Sequence, residues 1–282
     1  MAQFPNPNEA DGIWTLKQVR RNVLGGTWKA DEFQLPSNPA NIRGFELARD
    51  GSTFYIPEYL GVSSESNFYM YTMATPFTLN TATYSGVFTS HTGGTSQLDL
   101  AVSHDGTVAK ALGYNGNAVA TVWHSATTPF DFTTATKASD TVTKGTRTTG
   151  NFGNSDLSSF YVLENAVDGR DLLWYQGSAT NHGNYTQHLL SHQIQYATWI
   201  DNGTKLLGTI NDATTIHYAT TSVAYSASNL SSFTQVALPS GVNLRNGLSY
   251  SDVGEVLMYI DHTTTPITIK SLSRSELTAL GI

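Results

Sequence analysis

The residues of this chain best suited to chemistry are its histidines and carboxylates. Three of the eight histidines, His182, His188 and His192, fall in one stretch. His188 and His192 are four apart, a spacing that suits a metal pair on a helix. The stretch contains no carboxylate and reads as loop and strand. On a strand, positions i and i+4 share a face but stand about 13 Å apart, too far to share an ion. These histidines therefore read as polar loop or interface residues, and no metal ligand is assigned. Glycoside hydrolysis needs two carboxylates around one bond. Asp50, Asp105, Asp168 and Asp201 recur, but each sits beside or one residue from a glycine. There Asp tolerates turn conformations and bonds its own backbone, so the recurrence points to architecture. Glu46, Glu58, Glu65 and Glu164 are the acids outside that pattern. Gly-X-Ser-X-Gly, a phosphate loop and an EF-hand loop are all absent. No cysteine is present, which removes thiolate nucleophiles, disulfides and thiolate metal sites. No catalytic residue and no cofactor is assigned, and the chain reads as a non-enzyme.

The elements that must position these residues follow from composition and repetition. At 282 residues the chain can bury a sizeable core. Charged residues are 13%, about half the usual share, and about 65 residues are Ser or Thr. Thr favours strands and Ser favours turns, so an all-β protein is expected. The net charge of −7 disfavours non-specific binding to nucleic acid and to anionic membranes. No apolar run approaches the roughly 20 residues of a membrane helix. The opening Met1-Ala2-Gln3-Phe4-Pro5 has no basic stretch leading into an apolar core, so a signal peptide is not expected.

The first 40 residues differ from the rest. Leu16, Val19 and Val23 form a helical stripe, with Thr15 able to cap its start and Gly25-Gly26 to end it. Lys17, Arg20 and Arg21 make it locally basic, and Trp14 and Trp28 flank it. This is the one helix expected. Asp31 to Asn41 reads as a Pro-rich linker, giving an arm over 1–40 and a second domain over 41–282.

That second domain is built from repeats. Phe45–Ile56, Phe68–Thr72 and Thr75–Thr83 align with Leu98–Leu112, Val119–Trp123 and Thr128–Thr136. In these two units the Asp-Gly pairs lie 55 residues apart and the Thr-Pro-Phe triplets 53 apart. Each unit reads as strand, Asp-Gly hairpin, apolar strand, third strand, Pro-Phe turn and outer strand. Weaker copies centre on Asp168-Gly169, Asn202-Gly203 and Val253-Gly254. Four-stranded units of 40–50 residues cannot bury both faces alone, and their repetition predicts a β-propeller. Five blades are expected, with six and one degenerate copy as the alternative. The interval of only 34 residues between Gly169 and Gly203 predicts a truncated third blade or a shifted register there.

The Asp-Gly hairpin, aromatic strand and Pro129-Phe130-Asp131-Phe132-Thr133-Thr134-Ala135-Thr136 resemble repeats of β-propeller proteins of tailed bacteriophages. Gly12-Ile13-Trp14-Thr15-Leu16 with Gly25-Gly26-Thr27-Trp28 resembles a short motif of phage virion and tail appendage proteins. The resemblance implies a virion structural protein on the phage tail, assembled in the host cytoplasm and present in multiple copies. It implies other virion proteins of the tail or neck as partners, and no catalytic residues. On that reading Trp14, Leu16, Val19, Arg20, Val23 and Trp28 dock the arm into an acidic or apolar groove. Packing of the segment on its own propeller is the alternative. Tyr59, Tyr114, Trp123 and Tyr185 are the candidates for stacking on a host surface glycan, against the simpler reading of core packing. A carbohydrate-binding or glycan-hydrolysing propeller is the competing function.

Overall fold

The computed structural model describes residues 31–35, 42, 44–59, 65–91, 96–114, 119–142, 147–154, 156–165, 171–178, 181–210, 214–239, 242–244, 247–261 and 267–282. Strand β1 (Glu32–Gln34) comes first. The first sheet follows as β2 (Glu46–Leu47), β3 (Thr53–Tyr59), β4 (Glu65–Met73) and β5 (Ala82–His91). The second holds β6 (Ser96–Val102), β7 (Val108–Tyr114), β8 (Val119–Ser125) and β9 (Thr136–Val142). In the third are β10 (Arg147–Gly153), β11 (Ser159–Asn165), β12 (Asp171–Ser178) and β13 (Asn181–Leu189). The fourth comprises β14 (Tyr196–Ile200), β15 (Lys205–Thr209), β16 (Thr215–Thr220) and β17 (Thr234–Ala237). The fifth has the order β1–β20–β19–β18, from β18 (Leu248–Ser251), β19 (Val256–Asp261) and β20 (Thr268–Ser273). Every pairing is antiparallel, and a short helix, α1 (Arg274–Ala279), follows β20. The fold is an all-β β-propeller.

The physical basis is that these strands are apolar on both faces. All six residues of β19 and all five of β14 are buried. Each sheet must therefore pack against a neighbour on both faces. The first strand of each sheet meets the next around a common axis, and β18 returns to β2. Between the first and second sheets, Tyr55, Phe68, Met70 and Phe88 meet Leu100, Ala111 and Phe132. Between the fifth and first, Met258, Ile260 and Ile269 meet Phe54, Tyr71 and Leu79.

A repeated latch fixes one end of the sheets. Gly51, Gly106 and Gly203 end the first hairpin turns at φ of 71°, 70° and 81°. Their carbonyls accept the N–H of Phe77 (3.0 Å), Phe130 (2.9 Å) and Tyr225 (2.8 Å). Those three aromatics, each in the connection to its sheet's outer strand, also have positive φ, at 60°, 63° and 54°. Each ring lies flat over the glycine, where a Cβ would meet it at 2.4–2.6 Å. The aspartates complete the turns: Asp50 Oδ1 accepts the N–H of Ser52 (2.9 Å) and Asp105 Oδ1 that of Thr107 (3.0 Å). The Thr-Pro-Phe and Asp-Gly motifs are thus two halves of one contact.

One alternative is decided and two expectations are corrected. The third unit is not truncated; its register is shifted. Its first strand is β10, and the strand that leads into Asp168-Gly169 is the second, β11. The equivalent turn lacks glycine: Leu157 takes the left-handed position at φ 58°, with Asn154 Oδ1 accepting the N–H of Ser159 and Asp156 Oδ1 that of Ser158. Asp168-Gly169 instead lies between β11 and β12, outside the described residues. The linker reading fails for residues 31–35. Strand β1 pairs with β20, aligning Glu32 with Lys270, Phe33 with Ile269 and Gln34 with Thr268, and Leu35 is buried at 2% exposure. Asp31 Oδ2 accepts the N–H of Leu79 (2.7 Å), clipping this strand to the first sheet. Helix α1 was not expected, although Ser273 and Glu276 form a capping box at its start. The helix expected over Leu16–Val23 lies outside the described residues.

Two outcomes follow. Removing residues 1–30 should leave the thermal transition in place, whereas removing 1–35 should lower it sharply. The second deletion strips an outer strand and the buried Leu35, a side chain whose burial alone stabilises by roughly 1.5–3 kcal/mol. Gly51→Ala should cost about 2 kcal/mol through the positive φ and the overlap with Phe77, a fall of roughly 4–8 °C by calorimetry. An unchanged transition in either destabilised variant contradicts the latch or the closure.

Candidate functional site

The first strands of the five sheets surround a small polar cavity on the axis. Glu46 and Arg49 reach it from the end of the first sheet's inner strand, Asp99 and His104 from the second, Asn154 from the third, Thr198 from the fourth, and Ser249 and Asp252 from the fifth. Its volume is about 50 Å³. That holds a few waters, since one water needs roughly 10–15 Å³ of such space. Sites for organic ligands run to roughly 300–1,000 Å³, so this cavity takes no sugar ring.

Glu46 is its central group. Oε1 accepts the N–H of Val102 on β6 (3.1 Å), and Oε2 accepts the hydroxyl of Ser249 on β18 (2.9 Å). One side chain therefore ties the first, second and fifth sheets together. Burial pushes its carboxyl from 4.5 up to about 8, against the hydrogen bonds from Val102, Ser249 and Leu47 that favour the charged form. The Arg49 guanidinium donates to Nδ1 of His104 across the junction of the first and second sheets. That imidazole is held down at about 4, chiefly by burial and then by the Arg49 charge. Arg49 Nε finds no partner among the described residues. Asp252 Oδ1 accepts the N–H of Asn202 (3.0 Å), and burial raises its carboxyl. Acid and base groups are present, and each bonds across a junction between sheets around a cavity of only about 50 Å³. The arrangement braces the ring.

The residues singled out from the sequence do not assemble into one site. Trp14, Leu16, Val19, Arg20, Val23 and Trp28 lie outside the described residues. Trp123 is buried at 1% exposure, which removes it as a glycan contact. The alternation of β8 turns it inward, where Lys110 Nζ lies 4.3 Å from its ring and 3.9 Å from that of Phe160. Tyr59 and Tyr114 end the second strands of the first two sheets, while Tyr185 lies on the outer strand of the third. Of the irregular glutamates, Glu46 lines the axial cavity, and Glu58 accepts from the Tyr69 hydroxyl (2.6 Å) on the flank of the first sheet. His182 and His188 lie on β13, as the strand reading expects, and the His192 ring sits 5.2 Å from that of His217. Among the described residues no three His, Asp or Glu side chains converge as metal ligands. The axial group was not found from the sequence, because its members come from five strands spread over some 200 residues. The one available signal is that Glu46 breaks an apolar run, Phe45-Glu46-Leu47-Ala48.

No protein-family model and no curated protein matches the chain. Among solved structures it is similar to hydrazine synthase from Kuenenia stuttgartiensis, at 12% identity over 84% of this chain and 58% of that one, with a TM-score of 0.47. It is also similar to a chain of a nidogen/laminin complex (11% identity, 81% and 74% covered, TM-score 0.49). A third likeness is to the Cps50 (Swd1) β-propeller domain of Myceliophteria thermophila (8%, 86% and 100%, 0.43). The chain spans about three fifths of the hydrazine synthase chain it matches. None of these figures bears on activity or partner.

The shifted groups set a pH dependence. Folded Glu46 keeps its proton to about pH 8 while the unfolded chain releases it near 4.5, so stability falls as pH rises through that window. The buried neutral His104 and His124 act oppositely between about 4 and 6.5, where the unfolded chain takes up protons first. From pH 6.5 to 8 the Glu46 effect stands clear of these two, at about 2 kcal/mol. Urea unfolding should show that loss, and Glu46→Gln should flatten it. An equal slope in the variant contradicts the assignment.

Proposed function

We propose that this chain is a non-enzymatic structural component of a bacteriophage virion. It docks on the tail through its leading segment and exposes a five-bladed propeller for decoration or host contact. The observation that carries this reading is where the leading segment joins the ring. It runs into β1, the outermost strand of the fifth sheet, so a tether attached there pulls on the rim and leaves both faces of the disc free. Five four-stranded sheets meeting in cyclic order support the blade number. The basic, Trp-flanked stripe from Trp14 to Trp28, with its phage-like motif, supports docking to other virion proteins. The axial cavity, too small for a sugar, speaks against a glycan hydrolase acting at the ring centre.

The full-length chain should co-purify with phage particles, and electron microscopy should place it on the tail. Changing Trp14, Arg20 and Trp28 together to Ala should reduce incorporation by at least tenfold, since buried Trp and Arg anchors are each worth about 2 kcal/mol or more. The propeller's thermal transition should not move. Absence of the wild-type chain from particles, full incorporation of the triple variant, or release of reducing sugar from host glycan contradicts the reading.

A further inference from the structure

We propose that the wedge between the outer halves of the first and second sheets binds one residue of a neutral sugar, with Asp131 as its main acceptor. The wedge is an open depression of about 220 Å³. That is below the range for drug-sized ligands and fits a single ring better than a chain. Met70, Thr72, Ser85, Phe130, Asp131 and Thr133 are among the residues that line it.

The walls are held rigidly. The Phe130 N–H donates to the Gly106 carbonyl (2.9 Å), and the Tyr55 hydroxyl of the first sheet donates to the Phe130 carbonyl (2.8 Å). The segment is thus pinned from both sides before any ligand arrives. The positive φ of Phe130 recurs at Phe77 and Tyr225 and belongs to the latch. Two further features shape this wedge. The ladder between β4 and β5 slips between Met70 and Tyr71, so Ser85 is an extra residue lining the depression. Beside it, a Cβ at Gly86 would stand 2.8 Å from Thr133 Cγ2, so the glycine lets the second sheet's segment come close.

The chemistry selects the ligand. Asp131 Oδ1 accepts the N–H (3.0 Å) and the hydroxyl (2.6 Å) of Thr133, which fixes the carboxylate. Its Oδ2 accepts nothing from the described residues and can take a sugar hydroxyl through a charge-assisted bond. The side-chain hydroxyls of Thr72 and Ser85, both exposed, are likewise uncommitted and can donate or accept. Met70, Pro129 and Phe130 offer apolar surface to the C–H face of a ring. A single carboxylate with no cation lining the wedge favours a neutral polyol over an acidic one. The equivalent segment of the first sheet has Thr78 in place of Asp131, so the latch alone does not demand the acid.

This site does not rest on the virion reading. Lost particle incorporation leaves it standing, and lost sugar binding leaves docking standing. Saturation-transfer NMR on the intact chain tests it with the methyl glycosides of glucose, galactose and mannose, and with methyl glucuronide as the acidic probe. At least one neutral glycoside should receive saturation, most strongly along one C–H face. Asp131→Asn keeps the Oδ1 acceptor of the turn and should weaken binding at least tenfold. Thr72→Val, which exchanges only an uncommitted exposed hydroxyl for a methyl group, should weaken it several-fold and leaves the latch untouched should Asp131→Asn unfold. The proposal is overturned if no neutral glycoside receives saturation, if neither variant weakens binding, or if the glucuronide binds more tightly than the neutral probes.

Discussion

A four-stranded sheet that is apolar on both faces cannot stand by itself in water, and every other feature of this molecule answers that constraint. Each sheet covers the next, so the last must cover the first. The register of Phe33 with Ile269 achieves this by joining residues more than 230 positions apart in the chain. Asp31 adds a second tie by capping the 3-10 turn at Leu79. Closure at the rim is matched at the axis, where Glu46 accepts from β6 on one side and β18 on the other. The fifth sheet is therefore fastened to its neighbour at both ends of its width. Helix α1 adds a fastening on its other side, with Arg274 bonding Asp201 of the fourth sheet (3.1 Å).

Within that ring, the low charge and high Ser/Thr content have a mechanical meaning. The short hairpins need residues that bond their own backbone, and the strands need β-branched residues that pack on both faces. The latch adds a specific requirement, an aromatic residue at positive φ set on a glycine also at positive φ. The glycine adopts its conformation freely, whereas the aromatic's is costly alone, and the hydrogen bond between them, with the ring covering the glycine, holds it. In the fifth sheet there is no hairpin from β20 to its outer strand, because that strand is supplied by β1. There Phe77 of the first sheet lies against Gly254 as well as Gly51. One ring serves two turns at the junction where the chain starts and finishes its circuit.

The repeat was legible where the latch is complete. Gly51 with Phe77 and Gly106 with Phe130 gave two correct units, with their hairpins and outer strands. It failed in the third sheet because Leu157 replaces the glycine while Asp168-Gly169 offers a false turn one strand later. A left-handed leucine backed by Asn154 and Asp156 side chains has no short-range sequence signal. Strand β1 was missed since its three residues, Glu32–Gln34, carry no periodicity, and their partner is distant. The axial cluster and the wedge beside Asp131 depend on contacts between sheets, which a linear reading does not supply. At Trp123 the simpler reading, core packing, is the one that holds. An aromatic in a polar, Thr-rich setting looked available, but strand parity directs it inward against Lys110.

Because the chain has no cysteine, closure can be tested by cross-linking at a single pair of positions. Glu32 and Lys270 are aligned across β1 and β20, within the Cα separation that a disulfide spans. With both changed to cysteine, mild oxidation of the full chain should give an intramolecular bond in the monomer, seen as a mobility shift without reductant, and a higher thermal midpoint. Failure to cross-link, or cross-linking only between two copies, contradicts a ring closed by its own leading strand.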